Sequence, residues 1–80
     1  MNDLSEMGAR LRDLRGNAEI TQAELAELAL VDVAAVGDME RGERVISYPH
    51  LRQFARVFGL STDALDGLLR GGGGAARHAA

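Results

Sequence analysis

The sequence predicts an all-α domain of five short helices, and three observations carry that expectation. Apolar residues recur at helical spacing in successive segments. A Ser, Thr or Asp suited to capping a helix precedes each segment, at Ser5, Thr21, Asp32, Ser47 and Ser61. Hydrophobic residues make up 46% of the chain with a single Pro, a composition that suits packed short helices better than a disordered segment.

Met7, Leu11 and Leu14 stand at i, i+4 and i+7, so a first helix near residues 5–15 should turn that stripe inward from an N-cap at Ser5. Gly16 and Asn17 tolerate left-handed backbone angles and are available to close it. Thr21 and Glu24 fit a capping box, in which hydroxyl and carboxylate satisfy amide donors left over by the first turn. A second helix therefore starts at Gln22 and runs to about residue 29, with Leu25, Ala26 and Ala29 on one face and Glu24 and Glu27 on the other. Asp32 caps a third, near 33–40, whose apolar face is Val36 and Met39 and which Gly42 ends. Two short helices at this spacing form a helix-turn-helix.

Beyond the irregular stretch ERVI, Ser47 opens a fourth helix near 48–58, with Pro49 in the first turn where its missing amide proton does no harm. Leu51, Phe54, Ala55 and Phe58 form the strongest apolar stripe in the chain, the expected central buttress, and Gly59 closes it. Ser61 caps a fifth helix, near 62–69, carrying Leu65, Leu68 and Leu69. The predicted core is Leu11, Leu14, Leu25, Ala26, Val36, Met39, Leu51, Phe54, Phe58 and Leu65. Residues 1–70 thus read as one domain, and 71–80 as a flexible Gly/Ala-rich tail, either the stub of a linker to a further domain or a frayed natural end.

Composition narrows the chemistry. There is no Cys for a disulfide or thiolate site, and His50 and His78 are too few and too far apart for metal spacing, so neither metal nor cofactor is expected. No apolar run reaches the roughly 18 residues of a membrane span and no signal peptide is seen, which points to a cytoplasmic protein without membrane contact. Asp, Glu and His converge on no spacing that suggests paired carboxylates or a nucleophile with its base, so the chain reads as a non-enzyme. The net charge is -3, unevenly spread: Arg10, Arg12 and Arg15 against Asp13 make residues 7–16 basic, whereas Glu19, Glu24 and Glu27 make 17–30 acidic. Every basic residue is Arg, a choice that suits bidentate phosphate contact and buried ion pairs alike.

Gly8, Leu11, Arg12, Leu14 and Arg15, then TQAELA, then ERGER, then Leu51, Ala55, Gly59 and Leu65 follow without a gap the pattern of Cro/C1-type (Xre) helix-turn-helix proteins, the phage repressors and bacterial regulators. The chain resembles that family over residues 7–69, and AAVGDMERGERVI also resembles the DNA-binding domain of an actinobacterial developmental regulator. The resemblance implies a lambda-repressor-like five-helix DNA-binding domain, a transcriptional regulator that binds pseudo-palindromic double-stranded DNA as a homodimer through its second and third helices. It implies Val33, Ala34, Gly37 and Asp38 at the bases, and Arg10, Thr21, Gln22, Arg41 and Arg44 at phosphates.

The base-facing set is poor for direct readout. None of it makes the bidentate pairs of Arg with guanine or Gln with adenine, worth about 1–3 kcal/mol. What remains is a thymine methyl against Val33 or Ala34, and cytosine N4 donating to Asp38, which can equally repel the backbone. Gly37 costs about 1 kcal/mol of helix propensity relative to Ala; it either lets a DNA backbone or another protein approach closely or is a mere weak point. Glu19 and Leu30 stand where the family usually has Gly, so both turns depart from the family's pattern. The resemblance further implies an ion pair between Arg15 and Glu40, with Arg12 as a substitute, and a dimer contact at Leu65–Leu69 or in a domain beyond the glycines. The alternative is a protein-binding module that kept the fold while its acidic, apolar recognition face docks a partner protein, with weak or no DNA binding. Steep salt dependence separates the two.

Overall fold

The computed structural model describes residues 3–71 of the 80. Five helices follow one another: α1 (Asp3–Asn17), α2 (Gln22–Ala29), α3 (Val33–Glu40), α4 (Tyr48–Phe58) and α5 (Thr62–Leu69). The described residues contain no strand. The expected tail beyond Gly71 lies outside the described residues.

The last four helices have the expected bounds; α1 is longer at both ends. Ser5 is not its N-cap, because the helix has already begun at Asp3, and Gly16 and Asn17 stay helical rather than closing it. Instead Glu19 takes the left-handed conformation, at φ 61°, and its amide donates to the Gly16 carbonyl at 3.0 Å. Leu30 does the same after α2, again at φ 61°. Both turns close with the double backbone hydrogen bond that a glycine normally permits, at an intrinsic cost of about 1–2 kcal/mol each. The capping box of α2 is complete: Thr21 Oγ1 accepts from the Glu24 amide at 3.0 Å, and Glu24 Oε1 accepts from the Thr21 amide at 2.8 Å. Ser61 Oγ likewise accepts from the Ala64 amide at 3.0 Å. Asp32 and Ser47 occupy N-cap positions without a side-chain cap bond; the Ser47 hydroxyl pairs with His50 Nδ1 instead, at 2.8 Å.

Helix α1 packs on α3 and α5, α2 on α3 and α4, and α4 also on α5. Leu11, Leu25, Val36, Met39, Phe54, Leu65 and Leu69 are fully buried where these helices meet. Leu14 and Phe58, expected in the core, lie at its edge and are half-buried, since each ends a stripe that runs out towards the domain surface. Ile46 joins the core from the loop before α4. Two glycines set the tightest approaches. A β-carbon at Gly8 would lie 2.2 Å from the Met39 carbonyl oxygen, so α1 rests directly on the last turn of α3. Gly42 combines φ +76° with a site where a β-carbon would come 2.7 Å from Ser5 Cα. The end of α3 is thereby clamped to α1.

Candidate nucleic-acid interface

Helix α3 carries two different carboxylates. Glu40 points inward, its side chain 2% exposed, and Arg15 of α1 meets it with two bonds, Nε to Oε2 at 2.6 Å and Nη2 to Oε1 at 3.0 Å. Gln22, the first residue of α2, donates from Nε2 to the same Oε1 at 2.9 Å, and Arg15 Nη1 donates to the Ile20 carbonyl at 2.9 Å. Hydrogen bonding to Glu40 raises the Arg15 guanidinium above its ordinary value; burial opposes this, and the carboxylate's charge adds to it. No buried side-chain nitrogen or oxygen among the described residues lacks a partner, so the network meets the condition under which a buried pair is tolerable. The expected Arg15–Glu40 pair is present; Arg12 is exposed and does not substitute for it. Its consequence for the site is that α1, α2 and α3 are tied at one point and Gln22 is fixed at the mouth of the helix-turn-helix.

Asp38 points outward. Its Oδ1 lies 2.6 Å from Arg41 Nη2 and its Oδ2 lies 3.9 Å from Arg44 Nε, while Glu43 Oε1 lies 3.3 Å from Arg41 Nε. Gly37 is buried although it has no side chain to bury. A β-carbon there would lie 3.1 Å from Arg41 Nη1 and 3.7 Å from Gln22 Oε1. The close approach that Gly37 permits is therefore made by the chain's own Arg41 and Gln22, and no open seat is left at that position.

Of the other expected base-facing positions, Val33, 46% exposed, and Ala34 present a small apolar surface at the start of α3. Thr21 is exposed but its hydroxyl is engaged as a cap. Arg41 and Arg44 are about half exposed, at 56% and 52% of their side chains. Gln22, Gly37, Asp38, Arg41 and Arg44 thus come together. Arg10 does not join them: its Nη1 donates to the Leu69 carbonyl at 3.0 Å, where a cation is favoured at the C-terminus of α5. Sequence reasoning missed this bond and the Gln22–Glu40 bond, neither of which leaves a local signal. The i, i+3 spacing of Asp38 and Arg41 was a signal for their pair.

A family model described as a helix-turn-helix domain matches residues 6–68. No curated protein is a significant match in sequence. Among solved structures, the restriction-modification controller protein C.AhdI from Aeromonas hydrophila is 34% identical with a TM-score of 0.75, over 81% of this chain and 98% of that one. The clp gene regulator ClgR from Corynebacterium glutamicum is 28% identical with a TM-score of 0.73, over 86% of this chain and 90% of that one. A second ClgR structure, 27% identical with a TM-score of 0.75, aligns over 96% of this chain and 81% of that one. With most of its length matched by the family model and the same five-helix arrangement as these regulators, the chain belongs to the helix-turn-helix family, in its Xre-like form.

Proposed function

We propose that this helix-turn-helix regulator binds duplex DNA as two copies on a pseudo-palindrome, with α3 of each copy in the major groove and the two half-sites about one helical turn, roughly 34 Å, apart. The observation that carries the reading is the cluster around Gly37. An exposed helix start at Val33 and Ala34 is followed by Arg41 and Arg44 just beyond the helix end, and Gln22 is held beside them by the buried pair. Val33 and Ala34 suit thymine methyls, Asp38 suits cytosine N4, and Thr21, Gln22, Arg41 and Arg44 suit phosphates. Arg10 belongs to this list by resemblance only, since its guanidinium is engaged at the end of α5.

Energetics require the second copy. One copy offers few phosphate contacts on a chain of net charge -3 and has weak base readout, so selectivity draws on DNA shape and deformability. Leu65 and Leu69 are fully buried in the protein's own core, so a dimer contact on the last helix falls to its less buried residues, Leu68 among them. A site on DNA also fits a cytoplasmic protein, and no helix among the described residues is long and apolar enough to cross a membrane.

The test is a titration of genomic fragments at two salt concentrations, with the chain as it stands and covalently paired. The expected result is binding that weakens steeply with salt and is stronger for the paired form. Absence of salt-sensitive binding in both forms, together with salt-insensitive capture of a protein partner, would replace this reading with the protein-docking one.

A further inference from the structure

The arginines best placed to hold phosphates already face carboxylates of the same chain. Arg41 meets two carboxylates along the Nε–Nη2 edge of its guanidinium, Asp38 at 2.6 Å and Glu43 at 3.3 Å, and Arg44 Nε faces the second oxygen of Asp38 at 3.9 Å, an ion pair without a hydrogen bond. Two cations and two anions make this end of α3 electrically neutral. Arg41 is folded back along the helix as well, lying over Gly37, a position that only a residue without a β-carbon leaves fully open. A phosphate that takes the Nε–Nη2 edge of Arg41 must first displace a carboxylate, and one that approaches either guanidinium meets Asp38 beside it as a like charge.

Resting on the DNA reading above, we propose that Asp38, assisted by Glu43, is a specificity-determining residue that engages one edge of Arg41, offsets the charge of Arg44 and so suppresses binding to non-matching duplexes. Non-specific binding consists almost entirely of phosphate contacts, and it is the mode that this engagement penalises. At a matching site the exchange is balanced, because the displaced Asp38 can accept a hydrogen bond from cytosine N4 in the major groove. The carboxylate that looks unfavourable for DNA binding thus widens the gap between right and wrong sites. The ion pairs are exposed and individually weak, so the exchange is easily reversed.

The experiment is an anisotropy titration of the whole chain against a mixed-sequence duplex over a salt series. Wild type is compared with Asp38→Asn, Glu43→Gln and Gly37→Ala, and with Asp13→Asn as a control that removes one charge from an exposed position of α1. Thermal melts confirm that each variant is folded. Asp38→Asn should bind roughly 3- to 10-fold more tightly near 0.1 M salt, with a log–log salt slope steeper by about one unit, as expected for arginines released to phosphates. Glu43→Gln and Gly37→Ala should shift binding in the same direction by less, and Asp13→Asn by under about twofold. If wild type binds and Asp38→Asn binds no more tightly, or no more tightly than Asp13→Asn, the proposal fails while DNA binding stands. If no form binds in a salt-sensitive way, even when covalently paired, both fall.

Discussion

Asp38 and Glu40 stand two residues apart on α3, both carboxylates held by arginine, and their surroundings give them opposite jobs. Glu40 has lost its water. Its partners, Arg15 and Gln22, come from two other helices, and their bonds fix where α3 sits. Asp38 keeps part of its water, and its partners come from the same helix and the turn after it. Breaking the first pair strands a charge in the interior, whereas breaking the second hands each group back to solvent or to a ligand. Identical residue chemistry therefore yields a structural clamp in one place and an exchangeable cover in the other, and burial decides which.

The largest expected effect tests the buried side. Glu40→Gln leaves Arg15 without its counter-charge and should cost about 3–5 kcal/mol, seen in a thermal melt as a Tm lower by more than about 10 °C for a domain of this size. An unchanged Tm would show that Glu40 is no clamp. The double variant Arg15→Met with Glu40→Leu sharpens the point: it replaces the pair by apolar bulk and should recover most of that loss in the same melt. Should the double variant be as unstable as Glu40→Gln, the loss would lie in something other than the stranded charge.

Smaller effects bear on the exposed side and on the turns. Gly37→Ala should add about 0.5–1 kcal/mol by helix propensity, because the neighbour that must yield is the flexible end of Arg41. A loss of stability there would mean that Arg41 is seated more firmly than an exposed pair allows. Leu30→Gly relieves the left-handed strain before α3 and should gain a comparable amount, about 0.5–1 kcal/mol after the added backbone entropy of glycine, with both carboxylate clusters left intact. Asp38→Asn is the smallest, at about 0–1 kcal/mol in the same melts. A cost approaching that of Glu40→Gln would erase the distinction between the two carboxylates.

Much of the fold was legible because its signals are local. Caps and apolar spacing located α2 to α5, and the capping box of Thr21 and Glu24 formed as its spacing required. Ile46 was not legible, since a single core residue in a loop has no period to reveal it. Nor were the left-handed turns at Glu19 and Leu30 assigned by local preference; each is closed by backbone hydrogen bonds in a conformation that neither residue favours. The Arg15–Glu40 pair was accessible through family resemblance, not through spacing, as 25 residues separate the partners. The Arg10 bond to Leu69 spans 59 residues and leaves no trace in the sequence, so only the structure could show that arginine at the end of α5.

The most direct test of the central claim is the salt dependence of duplex binding by wild type, Arg41→Ala and Arg44→Ala. Wild type should lose affinity steeply as salt rises, and each substitution should weaken binding and flatten the log–log slope, by about one unit on a matching duplex and by less on others. Slopes identical in all three proteins would contradict the assignment of this face of α3 to DNA.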